Sequence, residues 1–370
     1  ATFVALYAAQ ALLPELAGQF RLSPATASLA VSVATGALAI GVIPLTVLSE
    51  AIGRTPVLTG SLFVSSALGL LAAASPSFPV LLVLRASQGL AMAGVPAVAM
   101  SYLAEELHRG ALGAAMGLYI AGNSIGGMAG RLIAALVDGL AGWRWSLAVV
   151  GALALACSVV FRLCVLPSAH FRPRPPKLSA LAGSIGRAGA DGPLLRLYAV
   201  GFLLMACFVT VYNYVGFRLL GPDFRLSTTV VGLVFVVYLA GSCSAASVGR
   251  LVDWLGRRRM LLLSAVFTVG GLALLLSPNL GLVILGLVVV TAGFFAAHSV
   301  ASGWVGARSA ALGVQGSALY LFCYYLGSSV GGSLGGIWYG LAGWSAVIAY
   351  TVLLIALAAL AAPRQSTTDR

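Results

Sequence analysis

Gly249-Arg250-Leu251-Val252-Asp253-Trp254-Leu255-Gly256-Arg257-Arg258 joins two apolar runs, 227–249 and 259–277. Asp253 and Arg257 are four residues apart, a spacing that brings opposite charges onto one face of a helix. Gly256 permits a tight turn, and the arginines hold that turn on one side of a bilayer. Roughly 200 residues earlier, Thr46-Val47-Leu48-Ser49-Glu50-Ala51-Ile52-Gly53-Arg54-Thr55 repeats the arrangement between the runs 25–47 and 57–75. Other landmarks recur in the same order at nearly the same lag. Phe20-Arg21-Leu22-Ser23 returns as Phe224-Arg225-Leu226-Ser227, and Gly142-Trp143 as Gly343-Trp344. Gly122-Asn123-Ser124-Ile125-Gly126-Gly127 returns as Gly327-Ser328-Ser329-Val330-Gly331-Gly332. The chain reads as two parallel repeats, an arrangement that places a ligand path at the repeat interface near the membrane midplane.

The whole chain is apolar in the same way. Of 370 residues, 60% are hydrophobic and 8% charged, against about 25% charged in an ordinary soluble protein. Apolar runs near membrane-spanning length occupy 3–19, 25–47, 57–75, 79–104, 111–138, 145–165, 195–220, 227–249, 259–277, 279–303, 310–338 and 343–362. The expected fold is an all-α membrane protein with twelve transmembrane helices in two pseudo-symmetric six-helix bundles. The expected domains are 1–166, a cytoplasmic linker 167–194 and 195–370. Pro173, Pro175 and Pro176 interrupt any regular helix there, and the linker reads first as a plain solvated tether, with a short surface helix around 177–188 as the alternative. The chain opens without Met and inside an apolar run, which points to a natural start further upstream and leaves no signal peptide to judge.

The net charge of +12 is topological rather than a nucleic-acid footprint. With both termini in the cytoplasm, 15 of the 21 basic residues fall on the cytoplasmic side and Arg21, Arg144, Arg218 and Arg225 on the other. Arg85 and Arg131 lie within helices. No basic face belongs to a soluble fold, so no nucleic-acid partner is expected. The five cysteines sit in apolar runs without a CxxC pair and read as small core residues.

The stretch 249–258 resembles the loop signature of the major facilitator superfamily. The second copy matches well, whereas the first has Thr46 for Gly, Glu50 for Asp and Thr55 for a base. The fourth run carries Arg85-Ala86-Ser87-Gln88-Gly89, similar to that superfamily's fourth-helix signature. The fifth carries Gly122-Asn123-Ser124-Ile125-Gly126-Gly127-Met128-Ala129-Gly130-Arg131, similar to the Gly-rich fifth-helix motif of its exporters, with Gly127 in the Pro place and Arg131 in the last Gly place. The pattern resembles the YnfM-like branch, grouped with twelve-helix drug:proton antiporters. The resemblance covers essentially the whole chain. It implies a bacterial inner-membrane secondary transporter working by alternating access, a monomer in membrane lipid that moves a small molecule and a proton.

Candidate residues follow. Arg inside a spanning helix is costly and must face a cavity or a partner. For Arg85 two readings stand: it tunes proton coupling, or it is a structural Arg bonded to carbonyls of neighbouring helices. Arg131 has Gly336 as its counterpart, so it breaks the symmetry. It binds an anionic substrate group or switches partners, or else it pairs with Asp138, two turns on and roughly 10 Å along the helix. The first and seventh helices offer Tyr7, Gln10, Tyr212, Asn213 and Tyr214, side chains suited to small organic molecules. Gln88, Asn123, Tyr320 and Tyr324 complete the candidate substrate set, although packing with hydroxyl bonds to neighbours is the default reading of Tyr320 and Tyr324. Glu15, Arg85 and His298 are the candidates for proton coupling, and Glu15 is expected to approach Arg218 across the outer vestibule. Glu50, Arg54, Asp253, Arg257 and Arg258 are the candidates for the cytoplasmic gate.

The nine acids include none at mid-helix depth, which leans toward neutral or anionic substrates rather than cationic drugs. No Gly-rich loop ends in Gly-Lys-Ser/Thr, so ATP is not the direct energy source. His108, His170 and His298 are scattered, with no metal or nucleophile cluster, so neither an enzyme nor a cofactor is expected. Proton-coupled export of small organic compounds leads. A proton-linked importer or uniporter of a metabolite anion is the alternative.

Overall fold

The structure, a computed structural model, describes residues 2–166, 168, 171, 178–312 and 316–364. Nearly all of these are helical. In chain order the helices are α1 (Thr2–Ala11), α2 (Leu13–Phe20), α3 (Pro24–Ile52), α4 (Arg54–Ala73), α5 (Phe78–Met92), α6 (Gly94–Glu106), α7 (Arg109–Ala141) and α8 (Trp143–Cys164). There follow α9 (Leu178–Ala190), α10 (Gly192–Leu220), α11 (Thr228–Leu233), α12 (Tyr238–Leu255), α13 (Arg257–Leu274), α14 (Leu280–Leu312) and α15 (Gly316–Ala361). A 3-10 turn, Val234–Val237, joins α11 to α12.

Two compact units result. The first comprises Ala1–Pro176 with Arg225–Val236, and the second Lys177–Phe224 with Val237–Arg370. Among the described residues nine helical stretches are long and apolar enough to cross a bilayer. The twelve apolar runs map onto them through three local features. α15 holds non-helical backbone at Ala342 and Gly343 and so contains two spans, 316–341 and 344–361. α1 and α2 form one span broken at Leu12, ahead of Pro14, whose ring removes a backbone donor. α13 is 18 residues long and begins with three arginines, which dilute an otherwise apolar helix. The fourth run is also interrupted, at Ala93 between α5 and α6, two residues before Val95-Pro96. Part of the linker forms α9, the alternative to a plain tether; Pro173, Pro175, Pro176 and Lys177 lie outside the described residues.

The repeat landmarks are the places where the backbone needs them. Arg21 and Arg225 both adopt left-handed backbone, φ 53° and 50°. In each copy the following Ser caps a helix: Ser23 accepts from the Thr26 N–H at 3.1 Å and Ser227 from the Val230 N–H at 3.4 Å. Gly53 and Gly256, at φ 107° and 80°, join spanning helices with no spare residue between them. A Cβ-bearing residue is strained at those angles, which is why the turn is built on Gly.

Within the first unit α3 packs on α5, α4 on α8 and α1 on α7. Within the second α10 packs on α15, and α14 on both α12 and α13. Small residues set the distances, as expected where lipid offers no hydrophobic gain to helix contact. A Cβ on Gly89 would lie 1.9 Å from Ala34 O, on Gly130 2.1 Å from Val4 O, and on Gly327 2.2 Å from Phe202 O.

Candidate functional site

In the first unit the close approach of α5 to α3 at Gly89 brings Arg85 within reach of two other helices, α1 and α3. Its side chain is 1% exposed. Nε donates to Ala30 O at 3.0 Å, Nη1 to Ala5 O at 3.1 Å and Nη2 to Leu6 O at 2.5 Å. Nη1 also donates to Gln88 Oε1 at 2.5 Å, and Gln88 Nε2 donates to Ser65 O at 3.0 Å. Arg85 and Gln88 thus tie α1, α3, α4 and α5 together through backbone carbonyls.

In the same unit, Arg131 of α7 is 2% exposed. Its Nε donates to Gln10 Oε1 at 2.6 Å and its Nη1 to Gly127 O at 2.7 Å. The guanidinium lies over the Tyr7 ring at 4.4 Å and near the Phe235 ring at 5.6 Å. Tyr7, Gln10 and Arg131, picked separately from the sequence, form one cluster, and Phe235 was not foreseen. Asp138, further along α7, keeps one buried carboxylate oxygen without a hydrogen-bond partner among the described residues. Glu15 is exposed on α2. Asn123 lines a cavity of about 320 Å³ with Tyr102, Tyr119, Cys157 and Phe161, next to Thr2 and Phe3 at the first described residues.

In the second unit an aromatic cluster surrounds His298. His298 Nδ1 and the Tyr320 hydroxyl are 2.9 Å apart. The imidazole lies tilted against Tyr324 at 4.6 Å and parallel to Phe294, one turn away, at 5.9 Å. Phe294 stacks on Phe208 at 3.9 Å, and Phe208 meets Tyr212 at 4.9 Å and Tyr238 at 5.6 Å. Tyr212 shares a 2.6 Å hydrogen bond with Thr291. Tyr320 is 2% exposed, while His298 and Tyr324 are partly open. Tyr214 donates to Gly332 O at 2.8 Å, and Asn213 is buried beside it on α10. Sequence reading missed Phe208, Tyr238 and Phe294. The one available signal was Phe294 four residues before His298, a spacing that stacks rings on one helix face.

The loop residues differ between the copies. Arg54 is paired: its Nη2 lies 2.8 Å from Glu105 Oε1 and its Nη1 donates to Ser49 Oγ at 2.5 Å. Glu105 is 51 residues away in sequence, beyond the reach of spacing arguments. Glu50 is half-buried; Asp253 is exposed, and Arg257 and Arg258 are partly so. Arg218, expected near Glu15, is anchored in its own unit. It donates to Leu275 O and to Ser277 O, the latter at 2.8 Å, and lies 3.7 Å from Asp223. Asp191 and Arg308 form a further pair, Nε to Oδ1 at 2.7 Å and Nη2 to Oδ2 at 2.8 Å. The Arg308 hydrogen bonds hold the Asp191 carboxyl below the usual carboxylate range, helped by the Leu194 N–H and opposed by partial burial.

Comparison with known proteins places this architecture. The chain is similar to the inner membrane transport protein YnfM of Escherichia coli, 42% identical over 364 residues that cover 98% of this chain and 87% of that protein. It is similar to the uncharacterized MFS-type transporter YybF of Bacillus subtilis, 40% identical over 357 residues, 96% of this chain and 88% of that one. Its fold matches the inward-facing, unoccupied structure of a bacterial homologue of the human lysosomal transporter Spinster, with a TM-score of 0.79 at 16% identity over 98% of this chain and 94% of that chain. Residues 1–305 match the profile described as Major Facilitator Superfamily, and the chain, a multi-pass inner-membrane transporter and not an enzyme, belongs to that superfamily.

Proposed function

We propose that this transporter exports small neutral or anionic organic compounds in exchange for protons by alternating access, without nucleotide. The observation that carries the reading is the pair of clusters just described. Arg131, Gln10 and Tyr7 give the first unit a buried cation beside an amide and a ring. His298, Tyr320 and Tyr324 give the second unit a polar pair set in aromatic faces. A guanidinium favours a carboxylate or another electron-rich group, and rings favour a planar organic body. The export direction draws support from the Gly-rich α7. It also draws on a more distant relative, the chloramphenicol resistance protein of Streptomyces lividans, 26% identical over 259 residues, 65% of this chain and 61% of that one.

In this reading Glu15 and His298 are the proton-coupling residues, and Arg85 with Gln88 is the clamp that keeps the first unit rigid while it moves. Glu50, Arg54, Asp253, Arg257 and Arg258 form the gate, on the cytoplasmic side by charge bias, and both termini lie on that side. The single chain in lipid is the working unit. A second reading, a proton-linked importer or uniporter of a metabolite anion, is favoured by the buried Arg131 and by Gly127 in place of Pro.

A binding panel tests the charge preference. Purified protein is mixed with planar aromatic compounds of matched size that are anionic, neutral or cationic, and ligand-induced thermal stabilisation is read. Stabilisation by the anionic or neutral members, with the anionic preference lost in Arg131→Ala, is expected. Stabilisation by the cationic members alone contradicts the reading.

A further inference from the structure

The α12–α13 loop of the second unit has a charge imbalance that nothing in that unit offsets. Arg250, Arg257, Arg258 and Arg259 against Asp253 leave a net +3 within ten residues. The acids of this unit are Asp191, Asp223, Asp253 and, outside the described residues, Asp369, so α13, α14 and α15 carry none at all. Asp191 is held by Arg308, and Asp223 lies beside Arg218. The first unit solves the same problem internally, with Glu105 neutralising Arg54. At the lag of 203 residues that separates Gly53 from Gly256, the position of Glu105 is taken by Arg308, so the second copy has a base where the first has the acid. Arg258 Nε is buried without a hydrogen-bond partner among the described residues. Three like charges open α13, where the positive end of the helix dipole adds to them.

The apolar side chains around these arginines say which anion fits. Trp254 is 89% exposed, one turn from Arg250, and Leu251 and Leu255 beside it are 46% and 36% exposed. An indole at the end of a spanning helix sits at headgroup depth, and clustered arginines next to such a helix attract anionic lipid. We propose that the loop Arg250–Arg259 seats the phosphate of an anionic phospholipid, with Trp254 against the glycerol and upper acyl region. The chemistry is phosphate recognition by guanidinium groups, and the exposed apolar side chains assign it to a lipid rather than a soluble phosphate ester. The proposal stands apart from any choice of substrate or transport direction.

The test uses the full chain in proteoliposomes whose lipids carry brominated acyl chains, either on phosphatidylglycerol or on phosphatidylcholine. The quenching of Trp254 is obtained as the difference between wild type and Trp254→Phe. Stronger quenching by the anionic lipid is expected, and Arg250→Gln/Arg259→Gln is expected to weaken that preference roughly 25-fold, about fivefold for each arginine. Arg250→Lys/Arg259→Lys keeps the charge and is expected to retain most of the preference. Equal quenching by the two lipids overturns the proposal, as does a preference untouched by the Gln pair in protein that remains monodisperse. A third arm adds inorganic phosphate at constant ionic strength. Unchanged lipid preference supports a lipid site, and full displacement at millimolar phosphate overturns it in favour of a soluble anion.

Discussion

Replacing Arg85 by Ala removes four hydrogen bonds at once, to Ala30 O, Ala5 O, Leu6 O and Gln88 Oε1. Interhelical hydrogen bonds in a membrane protein average about 0.6 kcal/mol, which sets a floor of about 2 kcal/mol. A bond to a charged donor is worth about 1.5 kcal/mol or more, which raises the figure to about 6 kcal/mol. At about 2–4 °C per kcal/mol for a unit of this size, the melting temperature falls by roughly 4–24 °C. The assay is the fraction of purified protein that stays monodisperse after heating in detergent. Arg85→Lys separates geometry from charge, because one ammonium cannot reach three carbonyls on two helices in the planar pattern of a guanidinium. Lys is expected to recover less than half of the loss. An Ala variant that melts within about 1 °C of wild type, or a Lys variant that melts with it, refutes the clamp.

Gly327→Ala pushes a methyl toward Phe202 O and is expected to cost about 1–3 kcal/mol, while Gly270→Ala, with nothing within 4 Å, is neutral or stabilising. Equal melting points for the two remove the close α10–α15 contact from the account. Asp191→Asn lowers stability near neutral pH. The sign follows from the depressed carboxyl: the Arg308 pair stabilises above the unfolded Asp value of about 3.9 and is lost as pH falls through the folded value, so the gap between wild type and Asn closes in acid. A gap that persists unchanged to low pH contradicts this pairing. Glu15→Gln and His298→Gln are each expected to flatten part of the pH dependence of transport. An unaltered profile in both assigns the coupling elsewhere.

The sequence spoke most clearly where one residue type answers one local need. Gly53, Gly256, Gly142 and Gly343 are positive-φ turns, and Arg21-Leu22-Ser23 and Arg225-Leu226-Ser227 are the same helix start made twice. Apolar runs of spanning length gave the helices, because in lipid the backbone has few other solutions. Helix breaks were less legible: Leu12 and Ala93 are ordinary residues whose geometry is set by prolines two or three positions away. Side-chain partners across helices were least legible. Tyr7, Gln10 and Arg131 were each chosen for residue type, yet their meeting depends on α1 pressing against Gly130 of α7. The link from Arg54 to Glu105 and the stack of Phe208 on Phe294 depend on packing between helices far apart in sequence, which no periodicity records.

The most direct measurement uses purified protein in liposomes loaded with a pH dye, with a substrate gradient imposed from the anionic and neutral compounds that bind. The account predicts proton movement opposite to the compound, without nucleotide, and its loss for anionic compounds in Arg131→Ala. Proton movement in the same direction, or transport with no proton movement at all, contradicts it.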